Sequence, residues 1–140
     1  MKKYILSFLI VILIATTVII FLNVNKSRNL EIHIFDTDNL SEEINQISVV
    51  DNSTTIGKSI KKDNPLFLPL ITLLTDMEFR KSNLKFSYSE GYDLLTNHNG
   101  NFYSIQINEN GLFNIDGKVY KIQNNETVKE LFNILKKSTQ

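Results

Sequence analysis

The chain of 140 residues contains 15 Lys and Arg, 15 Asp and Glu, and no cysteine. The lack of cysteine excludes disulfides, thiolate metal ligands, a nucleophilic thiol and the lipid-modified cysteine of a bacterial lipoprotein. Every acidic residue follows residue 28, so residues 29–140 carry 11 basic against 15 acidic side chains. This mild acidity does not fit a nucleic-acid partner, which requires a basic face.

The N-terminal run Ile5–Leu22, ILSFLIVILIATTVIIFL, contains no charge, proline or glycine. As a helix it would reach about 27 Å, close to the ~30 Å hydrocarbon core of a bilayer. A helix also satisfies its own backbone groups where water is absent. We therefore predict a single membrane span, with residues 1–4 as the N-terminus, 5–22 as the transmembrane anchor, 23–29 as a tether and 30–140 as one domain.

The charges around this run predict its orientation. Lys2, Lys3 and the α-amino group precede it, whereas Lys26 and Arg28 follow it. This slight excess favours an N-terminus in the cytoplasm and a domain outside a bacterial cell membrane. A cleaved signal peptide is the alternative, since Ala15-Thr16-Thr17 is similar to a cleavage site. The apolar VIIFL that follows at once favours an uncleaved anchor.

The first half of the domain reads as mixed helix and strand. Leu30–Phe35 and Ile44–Val50 have strand-like patterns, with an acidic turn from Asp36 between them. Two isoleucines spaced i, i+4 predict a short amphipathic helix within Thr54–Lys62. The charge-free centre of Leu66–Phe79 is too short to span a membrane and predicts a core helix, with a membrane-surface or partner-binding helix as the alternative.

The second half predicts an antiparallel meander followed by a helix. Alternating segments are separated by turns rich in Asn, Asp and Gly, and they begin with a strand over residues 84–88 and a return over Tyr92–Leu95. Asp116-Gly117 is a strong hairpin signal. The final helix begins with a Thr127/Glu130 capping box or an Asn124 or Asn125 cap, and Val128, Leu131, Phe132 and Leu135 lie on one face. The fold class is α+β: a meander packed with two or three helices.

We find no catalytic, cofactor or metal motif. Asp36 and Asp38 begin a loop that lacks the later calcium ligands and the glycine of an EF-hand. The two histidines, His33 and His98, are predicted to be surface residues. Neither a hydrolase nucleophile pattern nor a glycine-rich phosphate loop is present.

The runs GNFYSIQINENGLFNIDGKVYKI and ETVKELFNILKK, residues 100–122 and 126–137, carry a resemblance. They resemble small, membrane-anchored, exported α+β domains of Gram-positive bacteria whose function is unassigned. The resemblance covers about a third of the chain, implies the fold and supplies no site residue. The chain departs from the lipoprotein members in having no cysteine.

Three classes of function remain open. A binding or regulatory module for a protein, peptide or envelope component is favoured, because the domain is tethered and has no catalytic set. A structural subunit of a membrane complex is the alternative, and an envelope hydrolase using Asp36, Asp38 or Glu43 is the least favoured. We predict no cofactor, and we expect the partner surface to involve aromatic residues of the sheet: Tyr88, Tyr92, Phe102, Tyr103 and Tyr120.

Overall fold

The computed structural model describes residues 2–24, 28–30, 34–35, 39–87 and 91–140. The elements within these ranges are, in chain order, α1 Lys2–Val24, β1 Arg28–Asn29, α2 Leu40–Glu43, β2 Gln46–Asp51, β3 Ile56–Lys61, α3 Phe67–Asp76, β4 Glu78–Lys81, β5 Gly91–His98, β6 Asn101–Asn108, β7 Leu112–Ile115, β8 Lys118–Ile122 and α4 Asn125–Thr139. The protein is α+β, as the sequence predicts.

The strands form one antiparallel sheet in the order β1-β4-β8-β7-β6-β5-β2-β3. Consecutive strands β5 to β8 are neighbours, which confirms the predicted meander. Asn99-Gly100 and Asp116-Gly117 connect two of the hairpins with positive φ at all four positions (51°, 77°, 50° and 75°). These are the turns in which both central residues need φ > 0, so the Asn, Asp and Gly residues set the register of the strands.

One face of the sheet carries the core, and we call it the inner face. Along β5 the side chains alternate strictly, with Tyr92, Leu94, Thr96 and His98 buried. The helix α4 contacts β2, β3 and β8 and also packs against α3. The buried residues of the two helices are mostly apolar, as their spacing predicts: Phe67, Leu70, Ile71 and Leu74 on α3, and Val128, Leu131, Ile134 and Leu135 among those on α4.

Two of the predicted helices, the core helix and the final helix, are confirmed with changed bounds. The first is α3, which ends at Asp76 rather than Phe79. Phe79 instead lies in β4, fully buried, with its ring 4.9 Å from that of Phe113. The second is α4, which begins at Asn125, so Thr127 and Glu130 lie inside the helix and the predicted capping box is wrong. The alternative cap, Asn124, is correct: its side-chain oxygen accepts a hydrogen bond of 2.9 Å from the backbone N–H of Glu126.

Two predictions of local structure are wrong in the described residues. The segment predicted as a helix within Thr54–Lys62 contains strand β3, because the turn before it folds the chain back onto β2. The strand predicted over 84–88 is absent from its described part, where Leu84 is 61% exposed. The sheet instead contains β4, which lies between β1 and β8.

The predicted strand Leu30–Phe35 is only partly described. Leu30 and Phe35 are both buried and lie outside the sheet, whereas the pairing involves Arg28 and Asn29. Apolar residues at 30, 34 and 35 share one side of a helical turn as readily as 30, 32 and 34 share one side of a strand. The predicted strand is therefore wrong at residues 30, 34 and 35, and residues 31–33 lie outside the described part of the chain.

The helix α1 contains 23 residues, and its side chains are described from Leu9 to Asn23. Large apolar side chains on it are 43–68% exposed. The hydroxyls of Thr16 and Thr17 donate to the carbonyl oxygens of Ile12 and Leu13 at 2.7–2.9 Å. Within the described part of the chain, no helix meets the length and apolarity needed for a membrane span.

Candidate functional site

The face opposite the core, which we call the outer face, contains an open groove between β2 and β5. β2 pairs with β3 along its whole length, from Gln46↔Lys61 to Asp51↔Ile56. It pairs with β5 only from Ser48↔Leu95 onward. The two strands therefore separate beyond this pair, so the start of β2 and the end of β5 leave space between them.

The groove has a volume of about 470 Å³, within the range of small-ligand sites. Pairing across the sheet places its outer side chains in two rows. One row contains Gln46, Asn97 and Phe102, and the next contains Ser48 and Leu95. The first row continues on β3 with Lys61, which lies across from Gln46 but does not line the groove. Asn45 and Thr96 complete the lining, so none of the seven lining residues carries a charge.

The side chain of Phe102 is 68% exposed, which is more than that of any other phenylalanine among the large exposed apolar residues of the described chain. It lies directly across from Asn97 in the β5–β6 pair. Cross-strand partners have Cβ atoms about 4.5–5.5 Å apart, so the amide and the ring lie side by side. Phe102 contributes little to the core because most of its surface remains in water.

The outer face is not open along its whole length. Asn108 and Leu112 lie on the same side at the end of the sheet where β6 turns into β7, and they are only 5% and 6% exposed. The open part is therefore the end formed by β3, the start of β2, the end of β5 and the start of β6.

Two inner-face contacts support the strands that form the groove. The hydroxyl of Thr96 donates to the carbonyl oxygen of Gln46 at 2.9 Å, across the gap where the ladder has ended. At the end of β5, His98 Nε2 pairs with a carboxylate oxygen of Glu43 on α2. The first contact joins the separated ends of β2 and β5 to each other, and the second joins the end of β5 to α2.

His98 corrects a sequence prediction. It is 3% exposed rather than a surface residue, and its ring packs against Phe35 and Tyr103 with centroids 5.9 and 6.3 Å away. The strand β5 extends three residues beyond the predicted Leu95, which places His98 on the buried side of the alternation. The other histidine, His33, lies outside the described residues.

The aromatic residues proposed as a partner surface do not share one face. Phe102 lies on the outer face, whereas Tyr92 and Tyr120 are buried on the inner face, and the half-buried Tyr103 packs there against Phe35. Tyr88 lies outside the described residues. Sequence alternation correctly separated Phe102 from Tyr103, but it could not show which of them faces the core.

Two groups near the far end of β2 have shifted pKa values. Hydrogen bonds from the hydroxyl and the backbone N–H of Ser53 lower the pKa of Asp51, with burial as a smaller opposing effect. Burial, with a further contribution from Asp51, raises the pKa of Tyr92. The Asp51 hydrogen bonds have lengths of 2.6 and 2.9 Å and stabilise a local turn. The shifted pKa of Asp51 therefore reflects this turn and does not indicate a catalytic group.

No described group of three or more His, Asp or Glu residues is arranged to hold a metal ion. Of the carboxylates considered for a hydrolase, Asp36 and Asp38 lie outside the described residues and Glu43 is paired with His98. The residues that sequence reasoning missed are Gln46, Ser48 and Asn97. Only the register of β2, β5 and β6 brings them together, and no local motif marks them.

No family model matches the chain, and neither a curated protein nor a solved structure shows significant similarity to it.

Proposed function

We propose that this protein is a membrane-anchored binding module, in which α1 holds the domain at the cell membrane and the open end of the outer face binds an extracytoplasmic partner. The observation that carries the proposal is the two-sided sheet. One face is packed with a continuous apolar core, whereas the open end of the other face presents a groove and the exposed ring of Phe102.

The anchor is supported by the residues of α1. The run Ile5–Leu22 contains 18 residues without a charge, and the described apolar side chains from Leu9 to Leu22 remain exposed. In water, so much exposed apolar surface would be unfavourable, since each such side chain gains about 1.5–3 kcal/mol on burial. The hydroxyls of Thr16 and Thr17 bond within the helix, as hydrocarbon surroundings require.

A first experiment tests topology. A C-terminal epitope tag is followed after protease treatment of intact cells, with lysed cells as the control for cleavability. We expect loss of the tag without lysis, because the basic residues before the anchor favour an outside domain. Protection until lysis would contradict the proposed topology and direct the search to cytoplasmic partners.

A second experiment tests the binding face. A photo-crosslinking amino acid is introduced at Ser59, an exposed position of β3 on the outer face, and separately at Lys129, an exposed position of α4. We expect a specific adduct from Ser59 and none from Lys129. Equal labelling from both positions, or labelling from Lys129 alone, would contradict binding by the outer face.

The structural-subunit alternative has one observation in its favour, which is the exposed apolar surface of α1 itself. Helix contacts with other membrane proteins would cover that surface. Replacing Ile5–Leu22 with an unrelated apolar sequence of equal length separates the two functions. A binding module keeps its activity after this exchange, whereas a subunit that assembles through its anchor loses it.

A further inference from the structure

The lining of the groove defines the chemistry of its ligand more narrowly than the fold does. All seven lining residues are uncharged, and three of them are amides: Asn45, Gln46 and Asn97. Ligands with phosphate or carboxylate groups are usually recognised through Arg or Lys, which form charge-assisted hydrogen bonds. The groove therefore suits a neutral ligand.

The polar side chains can both donate and accept hydrogen bonds. An amide offers two N–H donors and a carbonyl acceptor, and the Ser48 hydroxyl offers one donor and two lone pairs. Within the described residues, the side chains of Gln46, Ser48 and Asn97 make no hydrogen bonds, so they are available to a ligand. A ligand rich in hydroxyl groups has the same dual character and can bond to each of them.

Phe102 adds a flat apolar surface at the edge of the groove. Its ring is mostly exposed and lies beside the Asn97 amide. The C–H-rich face of a sugar ring can pack on such a ring while its hydroxyl groups reach the neighbouring amides. An aromatic ring beside uncharged amides therefore matches a sugar better than a purely apolar ligand.

The gap between β2 and β5 does not suit an added peptide strand. Strand addition uses free backbone groups at a sheet edge, but Thr96 already donates to the Gln46 carbonyl across this gap. The second side of β2 is occupied by β3 along its full length. The groove is thus a feature of a sheet face, where side chains rather than backbone make the contacts.

We propose that the groove binds a neutral glycan, with one sugar ring on Phe102 and its hydroxyl groups hydrogen-bonded to Gln46, Ser48 and Asn97. This inference rests on the proposed binding function of the outer face and names its ligand. The groove is open, so the ligand is a chain of sugars lying along the sheet rather than a monosaccharide enclosed by it.

The test uses the full chain, labelled with ¹⁵N, in phospholipid nanodiscs, since glycoside detergents would compete for the groove. The probes are neutral tetramers of glucose and of N-acetylglucosamine, an acidic tetramer of galacturonate, and an uncharged peptide. We expect a neutral tetramer to give saturable shifts of the amide signals of Gln46, Asn97 and Phe102. The acidic tetramer should bind at least several-fold more weakly.

Variants separate sugar stacking from general apolar contact. Phe102→Tyr keeps the aromatic face and should retain affinity within about twofold, whereas Phe102→Leu and Phe102→Ala should each reduce it by about tenfold. Leu68→Ala, at a residue of α3 that is 63% exposed, is the matched control and should have no effect. Folding of each variant is checked from its unchanged spectrum outside the groove.

Unaltered affinity in Phe102→Leu would overturn the proposal, and so would the absence of groove shifts with either neutral tetramer. Saturable shifts with the peptide alone would assign the groove to a protein partner. If the glycan test fails while a crosslink from Ser59 persists, the outer face remains a binding surface and only the glycan assignment is lost. If both fail, the binding function is lost with it.

Discussion

The pair formed by Glu43 and His98 should stabilise the domain by a measurable coupling energy. Leaving a buried polar group without its hydrogen-bond partner costs about 1–3 kcal/mol. Here His98 is buried but Glu43 is 39% exposed, so water can partly replace the lost partner. A hydrogen bond to a charged group contributes about 1.5–3 kcal/mol, and the exposure of Glu43 reduces the expected coupling to about 1–2 kcal/mol.

A double-mutant cycle measures this quantity. Glu43→Ala, His98→Ala and the double variant are unfolded with urea, monitored by circular dichroism of the aromatic groups. His98→Ala should be the more damaging single change, because it also removes a buried ring that packs against Phe35. Glu42→Ala, at the exposed neighbouring carboxylate, is the control and should change stability by less than about 0.5 kcal/mol.

A coupling energy within experimental error of zero would refute this reasoning. In that case the carboxylate would be fully solvated in the folded protein, and the buried ring alone would account for the importance of His98. A coupling energy of the expected size would show that α2 is attached to the end of β5 by this contact.

Substitutions at three further positions, Gly91, Asp51 and Asn124, test other parts of the fold. Gly91→Ala should destabilise by more than about 3 kcal/mol or prevent folding, because its Cβ would lie 2.2 Å from a carbonyl oxygen of β6. Gly100→Ala is the control, because a Cβ there would have no atom within 4 Å, and it should lose only about 1–2 kcal/mol of stability from its positive φ. Equal losses of stability for Gly91→Ala and Gly100→Ala in urea denaturation would refute the steric argument. Asp51→Asn should cost about 1 kcal/mol at neutral pH, because it weakens the hydrogen bonds from Ser53. Those bonds lower the pKa of Asp51 in the folded state. The stabilisation by Asp51 is therefore present above the ordinary pKa of about 3.9 and disappears as pH falls through the lower folded value. A stability difference between the wild-type protein and Asp51→Asn that persists in stronger acid would contradict this. Asn124→Ala should cost about 1 kcal/mol of thermal stability through loss of the α4 cap, while Asn124→Asp should retain most of it.

The sequence predicted best where local chemistry determines the backbone. Asp116-Gly117 requires a tight turn, and the alternation on either side then fixes which residues face the core. The apolar face of the final helix was equally clear from residues at i, i+3, i+4 and i+7. Its start was not, since the predicted Thr127/Glu130 capping box lies inside the helix and Asn124 is the cap. In these segments local preference and tertiary packing agree, so no long-range information is needed.

The prediction of secondary structure was wrong where the same residues fit both the spacing of a helix and the spacing of a strand. Ile56 and Ile60 are spaced for a helix, but they also share a face of a strand with residue 58 between them, and pairing with β2 decides in favour of the strand. Secondary structure at a sheet edge depends on the neighbouring strand, which lies elsewhere in the sequence. The same limit explains why the burial of His98 was missed.

The candidate site was the least predictable part, because its residues come from separate strands and none belongs to a motif. Gln46 and Asn97 are ordinary polar residues in a chain rich in Asn, and they become neighbours only through the register of β2 and β5. A single apolar residue on an exposed strand position, Phe102, was the one available signal. Alternation pointed to it without distinguishing it from Tyr103.

At the groove, the fold is less stable than the same sheet could be. Closing the gap between β2 and β5 would add ladder hydrogen bonds, each worth about 0.5–1.5 kcal/mol. Replacing Phe102 with a polar residue would remove an exposed apolar group. Instead the ladder ends after Ser48 and Leu95, and the Thr96 hydroxyl satisfies the Gln46 carbonyl at the point of separation. This local loss of stability coincides with uncharged hydrogen-bond donors and acceptors beside an exposed ring. Ligand binding gives a physical reason both for the early end of the ladder and for the exposed ring of Phe102. Stability alone gives a reason for neither.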